Sequence, residues 1–495
     1  TWATKYSPIG IEGTNTGMLE VSNIPPLNLE KRLSYLIRYP HGCIEQTTSA
    51  VFAQLYLDNF VELTPEQSLK TEANIKAAIN KLRSFQTYLG GFSYWPGRED
   101  NNAWGTNYAG HFMLEAKAKG YALPPGLLHN WTSFQKQEAN SWTSEGTAFH
   151  QSQSQLTQAY RLYTLALADA PALGAMNRLK NREDLNVVTR YCLASAYYII
   201  GKKSVAEKMI KDAGIQVDTK YRYSNTYGSE NRNKAIILET LALLGDKSNA
   251  KLLFDELSSS LASDRWMSTQ TTAYSLMAIS KFIGASDLQN QELTFQVKFD
   301  QQALEKVKTS ASIKQMELDF NSTKERSLSL ENTTEKTMFV RLLLEGIPAI
   351  GDTTNAQSHL KMNIFYRDLD GKKIDPKNLK QGSDFMAEVE VLHPGIREGY
   401  KDMALTQIFP SGWEIRNMRM DEGFSGPIES PYAYQDIRDD RVLTYFDLDR
   451  GQRKTFVVLL NAAYKGKYYL PTLYCEAMYD HDINARISGE WVEVK

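Results

Sequence analysis

Apolar positions change their rhythm once along the chain. Up to about residue 285 they recur at three- and four-residue intervals, the period of helices packed on one face. In "LNLEKRLSYLIRY", Leu29, Leu33, Leu36 and Ile37 fall on one side, and "SAVFAQLYLDNF" continues the pattern. "QLTQAYRLYTLALADAP" is stopped by Pro171 and "VVTRYCLASAYYIIG" by Gly201, while "KAIILETLALLGD" and "STQTTAYSLMAISKFIG" each run into a glycine, a common helix stop. The links between these segments are short. The pattern predicts paired antiparallel helices, stacked or closed into an α/α ring. The spacing keeps no fixed period, which argues against a regular solenoid.

Beyond residue 285 the pattern alternates. In "DFMAEVEVLH", Phe385, Ala387, Val389 and Val391 face one way, and Asp384, Met386, Glu388 and Glu390 the other. "LTFQVKF", "KTMFVRLLLEG", "VLTYFDL" and "KTFVVLLNAAY" read alike, with turn-rich stretches such as "RDLDGKKIDPKN" and "FPSGW" between them. Two antiparallel β-sandwiches meeting near residues 350–360 fit this spacing. Residues 1–22 also lack a helical period, and "GMLEVSNIPP" reads as strand. The fold class expected is therefore multidomain α+β, with a helical domain inserted into a β-domain and a further β-sandwich after it. The expected division is 1–22 with 284–354, then 23–283, then 355–495.

Length and charge narrow the function. A chain of 495 residues exceeds one ordinary core. A net charge of −2 makes no electrostatic case for nucleic acid or an anionic membrane surface. No apolar run approaches the roughly 20 residues of a spanning helix. Cys43, Cys192 and Cys475 are too few for a disulfide framework and too far apart for zinc-ligand spacing. No metal or organic cofactor is implied. The chain starts at Thr1 without a basic-then-apolar leader and reads as a mature product or an excised fragment.

The chemistry concentrates in "RYPHGCIEQTTSA", residues 38–50. Pro40 and Gly42 break the preceding helix, and Thr47, Thr48 and Ser49 open the next. Cys43 then stands just ahead of a helix N-terminus, where the dipole favours a thiolate. Gln46 follows three residues later, close enough in a tight turn for the sulfur to meet its carboxamide. Attack there releases ammonia and closes a Cys–Gln thiolactone. Gly42 would let the backbone approach closely.

Gly42-Cys43-Ile44-Glu45-Gln46 resembles the thioester signature of the α2-macroglobulin and complement family, Gly-Cys-Gly-Glu-Gln in eukaryotes. Ile44 departs from that glycine and is similar to the bulky residue of the bacterial branch. "PPLNLEKRLSYLIRYP", "GGFSYWPG", "STQTTAYSL" and "LPTLYCEAMYD" resemble that branch too, so the likeness spans nearly the whole chain. It implies an α/α toroid set in a CUB-like β-domain and followed by a macroglobulin-like sandwich. It also implies a single-turnover protease trap rather than an enzyme. A protease cuts a bait region in upstream domains. The exposed thioester then acylates an amine or hydroxyl of that protease and tethers it. A bacterial member would lie in the periplasm or cell envelope, with a lipid anchor upstream.

The resemblance also assigns secondary roles. Tyr39 matches a tyrosine that shields the thioester, and Met478 and Tyr479 resemble a locking pair. His150, or its rival His111, is the candidate for the histidine that first takes the acyl group in some members. Three other readings compete. A cysteine protease pairing Cys43 with His150 leaves Gln46 unexplained. A glycan-cleaving enzyme, suggested by the aromatic stretch "GGFSYWPGREDNNAW", needs two carboxylates across a cleft, and Glu99 and Asp100 flank no partner. An adhesive module that has lost its thioester sits poorly with the intact Cys–Gln pair.

Overall fold

The computed structural model describes residues 1–38, 41–144, 148–217, 225–286, 292–300, 302–320, 325–349, 351, 353–416 and 429–495. They form two compact units, Thr1–Ile347 and Pro348–Lys495.

The first unit opens with strands β1 (Trp2–Tyr6) and β2 (Thr16–Ser22). Among the described residues twelve helices follow. The first six are α1 (Leu29–Arg38), α2 (Ile44–Phe52), α3 (Pro65–Lys81), α4 (Ala103–Ala118), α5 (Leu127–Ser141) and α6 (Ala148–Leu167). The rest are α7 (Leu173–Lys180), α8 (Val187–Ile199), α9 (Lys203–Ile210), α10 (Glu230–Leu244), α11 (Lys247–Ala262) and α12 (Thr269–Gly284). The even-numbered helices each pack on the next, α2 on α4, α4 on α6 and onward, and α12 closes on α2. The result is an α/α toroid, with the odd-numbered helices packed against that ring. Sequence explains which layer is which. α12 is buried along nearly its whole length, as a helix without a charged face must be, whereas α3 buries only Ile75, Ala78 and Ile79. Side-chain caps begin the ring helices, including Asn102, Asn186, Ser229 and Ser268, each accepting a backbone N–H from the first turn. Gly245 ends α10 in the left-handed conformation, at φ 79°.

α1 departs from its expected face. Leu29 and Leu36 are buried, but Ile37 is 46 % exposed and Arg32 is buried instead. The Arg32 guanidinium reaches the carbonyls of Leu261, in the last turn of α11, and of Ser263 and Arg265 just beyond it, groups that a helix terminus leaves without partners. Tight packing sets another limit. Gly110 of α4 lies against Trp131 of α5, and a Cβ at position 110 would meet the indole at 2.2 Å. Trp131 is fully buried and donates from Nε1 to the Thr106 carbonyl at 2.8 Å, so it has little room to yield. Gly110→Ala is expected to cost about 3 kcal/mol, the upper end for overpacking. Urea unfolding should show this as a lower midpoint at unchanged slope.

Strands β3 (Leu293–Phe299), β4 (Glu305–Thr309), β5 (Ile313–Glu317), β6 (Arg326–Asn332) and β7 (Phe339–Glu345) follow the toroid. They form antiparallel sheets in the orders β1-β6-β3-β4 and β5-β2-β7 around Leu19, Val21, Phe295, Val297, Leu328 and Leu330. The strands before the helices thus pair with the strands after them, and the toroid is inserted into this sandwich.

The second unit holds β8 (Ala356–Ser358), β9 (Lys361–Asp368), β10 (Asn378–Leu379), β11 (Asp384–Leu392), β12 (Tyr400–Ile408), β13 (Trp413–Arg416) and β14 (Tyr434–Ile437). It continues through β15 (Arg441–Leu448), β16 (Arg453–Ala462), β17 (Gly466–Leu470), β18 (Leu473–Ala477), β19 (Asp480–Ile487) and β20 (Glu490–Val494). Two sheets, β13-β16-β11-β9 and β14-β15-β12-β18-β19-β8, form a sandwich; β10-β20-β17 is a smaller third sheet. The alternation in β11 holds, with Phe385, Ala387, Val389 and Val391 buried. Met386, on the opposite face, is buried as well, against Val457 and Leu459 of β16. Cys475 and Cys192 are core thiols in the second and first units, and burial pushes both well above the ordinary thiol value.

Candidate functional site

α2 starts one turn earlier than expected, directly at Ile44, so Cys43 is its N-cap residue. Cys43 has extended backbone at φ −65° and ψ 169°, and its sulfur folds over the first turn. The Gln46 N–H donates to Cys43 Sγ at 3.5 Å, the position that a Ser or Asn side chain fills in an ordinary cap. Thr47 N–H donates to the Cys43 carbonyl at 2.9 Å, and Ile44 N–H to the Tyr94 carbonyl at 3.0 Å. Cys43, Ile44 and Glu45 are fully buried and Gln46 is 3 % exposed, so the pair is nearly dry. Gly42 is not left-handed, and a Cβ there would meet only the flexible end of Lys81, at 3.2 Å. Close backbone approach is therefore not what a glycine supplies at this position. Lys81 Nζ donates to the Gly42 carbonyl at 3.4 Å.

Glu45 was not singled out in the sequence, yet it is held from several sides. Ser49 Oγ donates to Glu45 Oε1 at 2.6 Å, and Thr269 Oγ1 lies 3.0 Å from each carboxylate oxygen. Tyr108 Oη is 3.1 Å from Ser49 Oγ.

His111 occupies a different place. It is fully buried on α4, with its ring edge-on to Phe52 at 5.0 Å. Phe52 stands eight residues past Ile44, about 12 Å along the helix axis. His111 Nδ1 lies 3.0 Å from Tyr160 Oη, and Nε2 lies 3.2 Å from Glu115 Oε1 and 3.5 Å from Glu239 Oε1. Lys281 Nζ binds the same two carboxylates, Glu115 and, at 2.7 Å, Glu239. Tyr56, Tyr163 and Tyr274 donate to them at 2.5, 2.9 and 2.7 Å. Burial, the largest single influence, works to raise Glu115 and Glu239, but the Lys281 ammonium together with His111 beside both and the Tyr274 hydrogen bond to Glu239 outweighs it and holds both carboxyls below the usual range. Burial likewise works to lower Lys281, and the two carboxylates hold it well above its ordinary value. His111, Glu115 and Glu239 bring ligand atoms within 4.8 Å of one another, as a metal site would need. Lys281 already supplies the positive charge there.

Tyr39 lies outside the described residues, as does the side chain of His150, whose backbone belongs to α6. Met478 and Tyr479 form the β18–β19 turn in the second unit. Met478 is 1 % exposed and its N–H donates to the Asp402 carbonyl at 3.0 Å.

Comparison with known proteins places this arrangement. Residues 18–157 match the model of the A-macroglobulin TED domain, and residues 360–482 match that of the bacterial α2-macroglobulin MG10 domain. The α2-macroglobulin of Escherichia coli K12 is 25 % identical over 97 % of this chain and 30 % of its own length. The chain belongs to the bacterial α2-macroglobulin family. Another member, from Xylella fastidiosa strain Temecula1, is 25 % identical over 93 % of this chain and 29 % of its own length. The chain thus spans about a third of the length of the α2-macroglobulins it matches. The fold agrees with the crystal structure of native E. coli α2-macroglobulin from domain MG7 to the C-terminus, at a TM-score of 0.81 and 22 % identity. That match covers all of this chain and 81 % of the other. Salmonella α2-macroglobulin reacted with methylamine gives the same TM-score, at 23 % identity, over all of this chain and 33 % of the other. Among the described residues no helix is long and apolar enough to cross a membrane.

Proposed function

We propose that this chain carries the acylating centre of a protease trap, an internal thioester between Cys43 and Gln46. The observation that carries the reading is the seating of the Cys43 sulfur on the first turn of α2, 3.5 Å from the Gln46 N–H, with both residues buried. The Cys43 thiol adds to the Gln46 carboxamide carbon. The C–N bond breaks, ammonia leaves with the thiol proton, and the thioester remains. A protease amine or hydroxyl later attacks the same carbon. The C–S bond breaks and the Cys43 thiol is restored, which makes the reaction a single turnover. The helix N-terminus favours the departing thiolate. Burial keeps water from the carbonyl until then.

In this reading the target proteases cut a bait region in upstream domains of a longer protein, in the periplasm or cell envelope, and are then trapped. The strands of 1–22 and 284–354 form a CUB-like domain, 23–283 the thioester domain, and 355–495 the terminal macroglobulin domain. The family resemblance gives Tyr39 the role of shielding the thioester. The full-length protein challenged with trypsin should give a denaturation-resistant conjugate whose cross-linked peptide joins Gln46 to a trypsin side chain. A reactive thioester with no such conjugate would contradict the trap.

The histidine role remains with His150, because both ring nitrogens of His111 are occupied. An acyl-imidazole intermediate favours hydroxyl acceptors. His150→Ala is expected to lower transfer to glycerol relative to methylamine by about a hundredfold, the lower end of the range for general acid–base groups. Unchanged partitioning would remove His150 from the reaction.

A further inference from the structure

We infer that Glu45 is a positioning residue for the Cys43–Gln46 cross-link and acts through Thr269, 224 residues away in sequence; the inference rests on the thioester reading above. Glu45 is the second residue of α2, between the capping cysteine and the glutamine. Its carboxylate is fully buried, which is costly for a charge unless donors meet it. Among the described residues, Thr269 and Ser49 bring such donors from two directions. Thr269 is the first residue of α12, the ring neighbour of α2, and its hydroxyl lies 3.0 Å from both carboxylate oxygens. The N-terminus of α12 itself favours a negative charge beside it. Ser49, one turn along α2, spends its only proton on Glu45. Tyr108 of α4, on the other side of α2, therefore donates to Ser49.

The consequence is geometric. Residues 43 and 46 share one side of the first turn, and residue 45 points about 100° away from residue 46. A carboxylate fixed to α12 at residue 45 sets the rotation of that turn about its axis. It thereby sets where the Gln46 side chain starts relative to Cys43 Sγ. An amide is a poor acyl donor, so closing the thioester needs this alignment in advance. Glu45 touches neither reacting atom; it holds the turn that does.

The test uses Thr269→Val, Thr269→Ser and Glu45→Gln in the whole chain, with the parent alongside. Intact mass gives the fraction lacking one ammonia, and the thiol released by methylamine gives the fraction that reacts. Far-UV circular dichroism and melting report the fold. Thr269→Val is nearly isosteric and lies outside the motif. It is expected to keep the toroid folded and to lower the thioester-bearing fraction by about tenfold, the weight of a lost hydrogen bond to a charged group. Thr269→Ser keeps the hydroxyl and should restore the parent fraction. Glu45→Gln keeps the volume but not the charge and should fall with Thr269→Val. A Thr269→Val protein that is folded and carries the parent fraction overturns the inference. So does a Thr269→Ser protein as poor as Thr269→Val, because then volume and not the hydroxyl matters. If Thr269→Val does not fold, Glu45→Gln decides, and the parent fraction in that variant overturns the inference. A parent protein with no mass deficit removes the thioester reading itself, and the positioning role with it.

Discussion

Lys281→Met is expected to destabilise the toroid by about 3 kcal/mol, because it strands two buried carboxylates. The Lys281 side chain keeps 21 % of its accessibility, which places the cost at the lower end for a broken buried pair. The loss should depend on pH in a definite direction. Glu115 and Glu239 titrate below their ordinary 4.5 in the folded protein, so their contribution is complete above about that pH. It is lost as the pH falls through their folded values. Lys281 titrates above its ordinary 10.5, so its contribution is complete below that value and is lost as the pH rises through its folded one. The parent should therefore keep the full benefit of this cluster between about 4.5 and 10.5. In Lys281→Met burial is opposed only by what His111 and Tyr274 still contribute, so the carboxyls should rise. Acid then neutralises the stranded charges, and the deficit should narrow toward pH 4.5. Urea unfolding of both proteins across pH 4.5–8 measures it. A deficit below about 1 kcal/mol, or one independent of pH, would mean that the cluster is not paired as described.

Removing either partner of the proposed bond should have the largest effect on activity. Cys43→Ala and Gln46→Ala should each abolish methylamine incorporation, since one variant lacks the sulfur and the other the carbonyl. Both side chains are small or polar and sit at the start of α2, so the cost in stability should stay near 1–2 kcal/mol. Both variants should keep the parent circular dichroism. Labelled methylamine recovered at residue 46 of Cys43→Ala would show that Gln46 reacts without a thioester, as a transamidation substrate would.

Legibility in the sequence follows from how local each feature is. The ring helices announce themselves by period and by stops such as Pro171, Gly201 and Gly245, because those signals are local to one turn. The β-strands are legible by alternation. That β1 and β2 pair with strands some 300 residues later was suggested only by their lack of helical period. The Cys43–Gln46 relation was legible because an i, i+3 contact at a helix start needs no tertiary information. Glu45 and Thr269 lie in stretches that drew notice, but their contact requires α12 to close the ring on α2. Lys281 meets Glu115 across 166 residues and Glu239 across 42, so the sequence shows three ordinary charged residues on three helices. Arg32 escaped for the same reason: the carbonyls it binds belong to the end of another helix, 229 or more residues away.

The central claim is the bond itself, and intact mass before and after methylamine tests it most directly. The freshly isolated chain should weigh one ammonia less than its sequence requires. Methylamine should then add its full mass as a methylamide at Gln46 and expose one new thiol at Cys43. A chain at its full sequence mass, with Cys43 titrating as a thiol after unfolding and no methylamine adduct, would contradict the account.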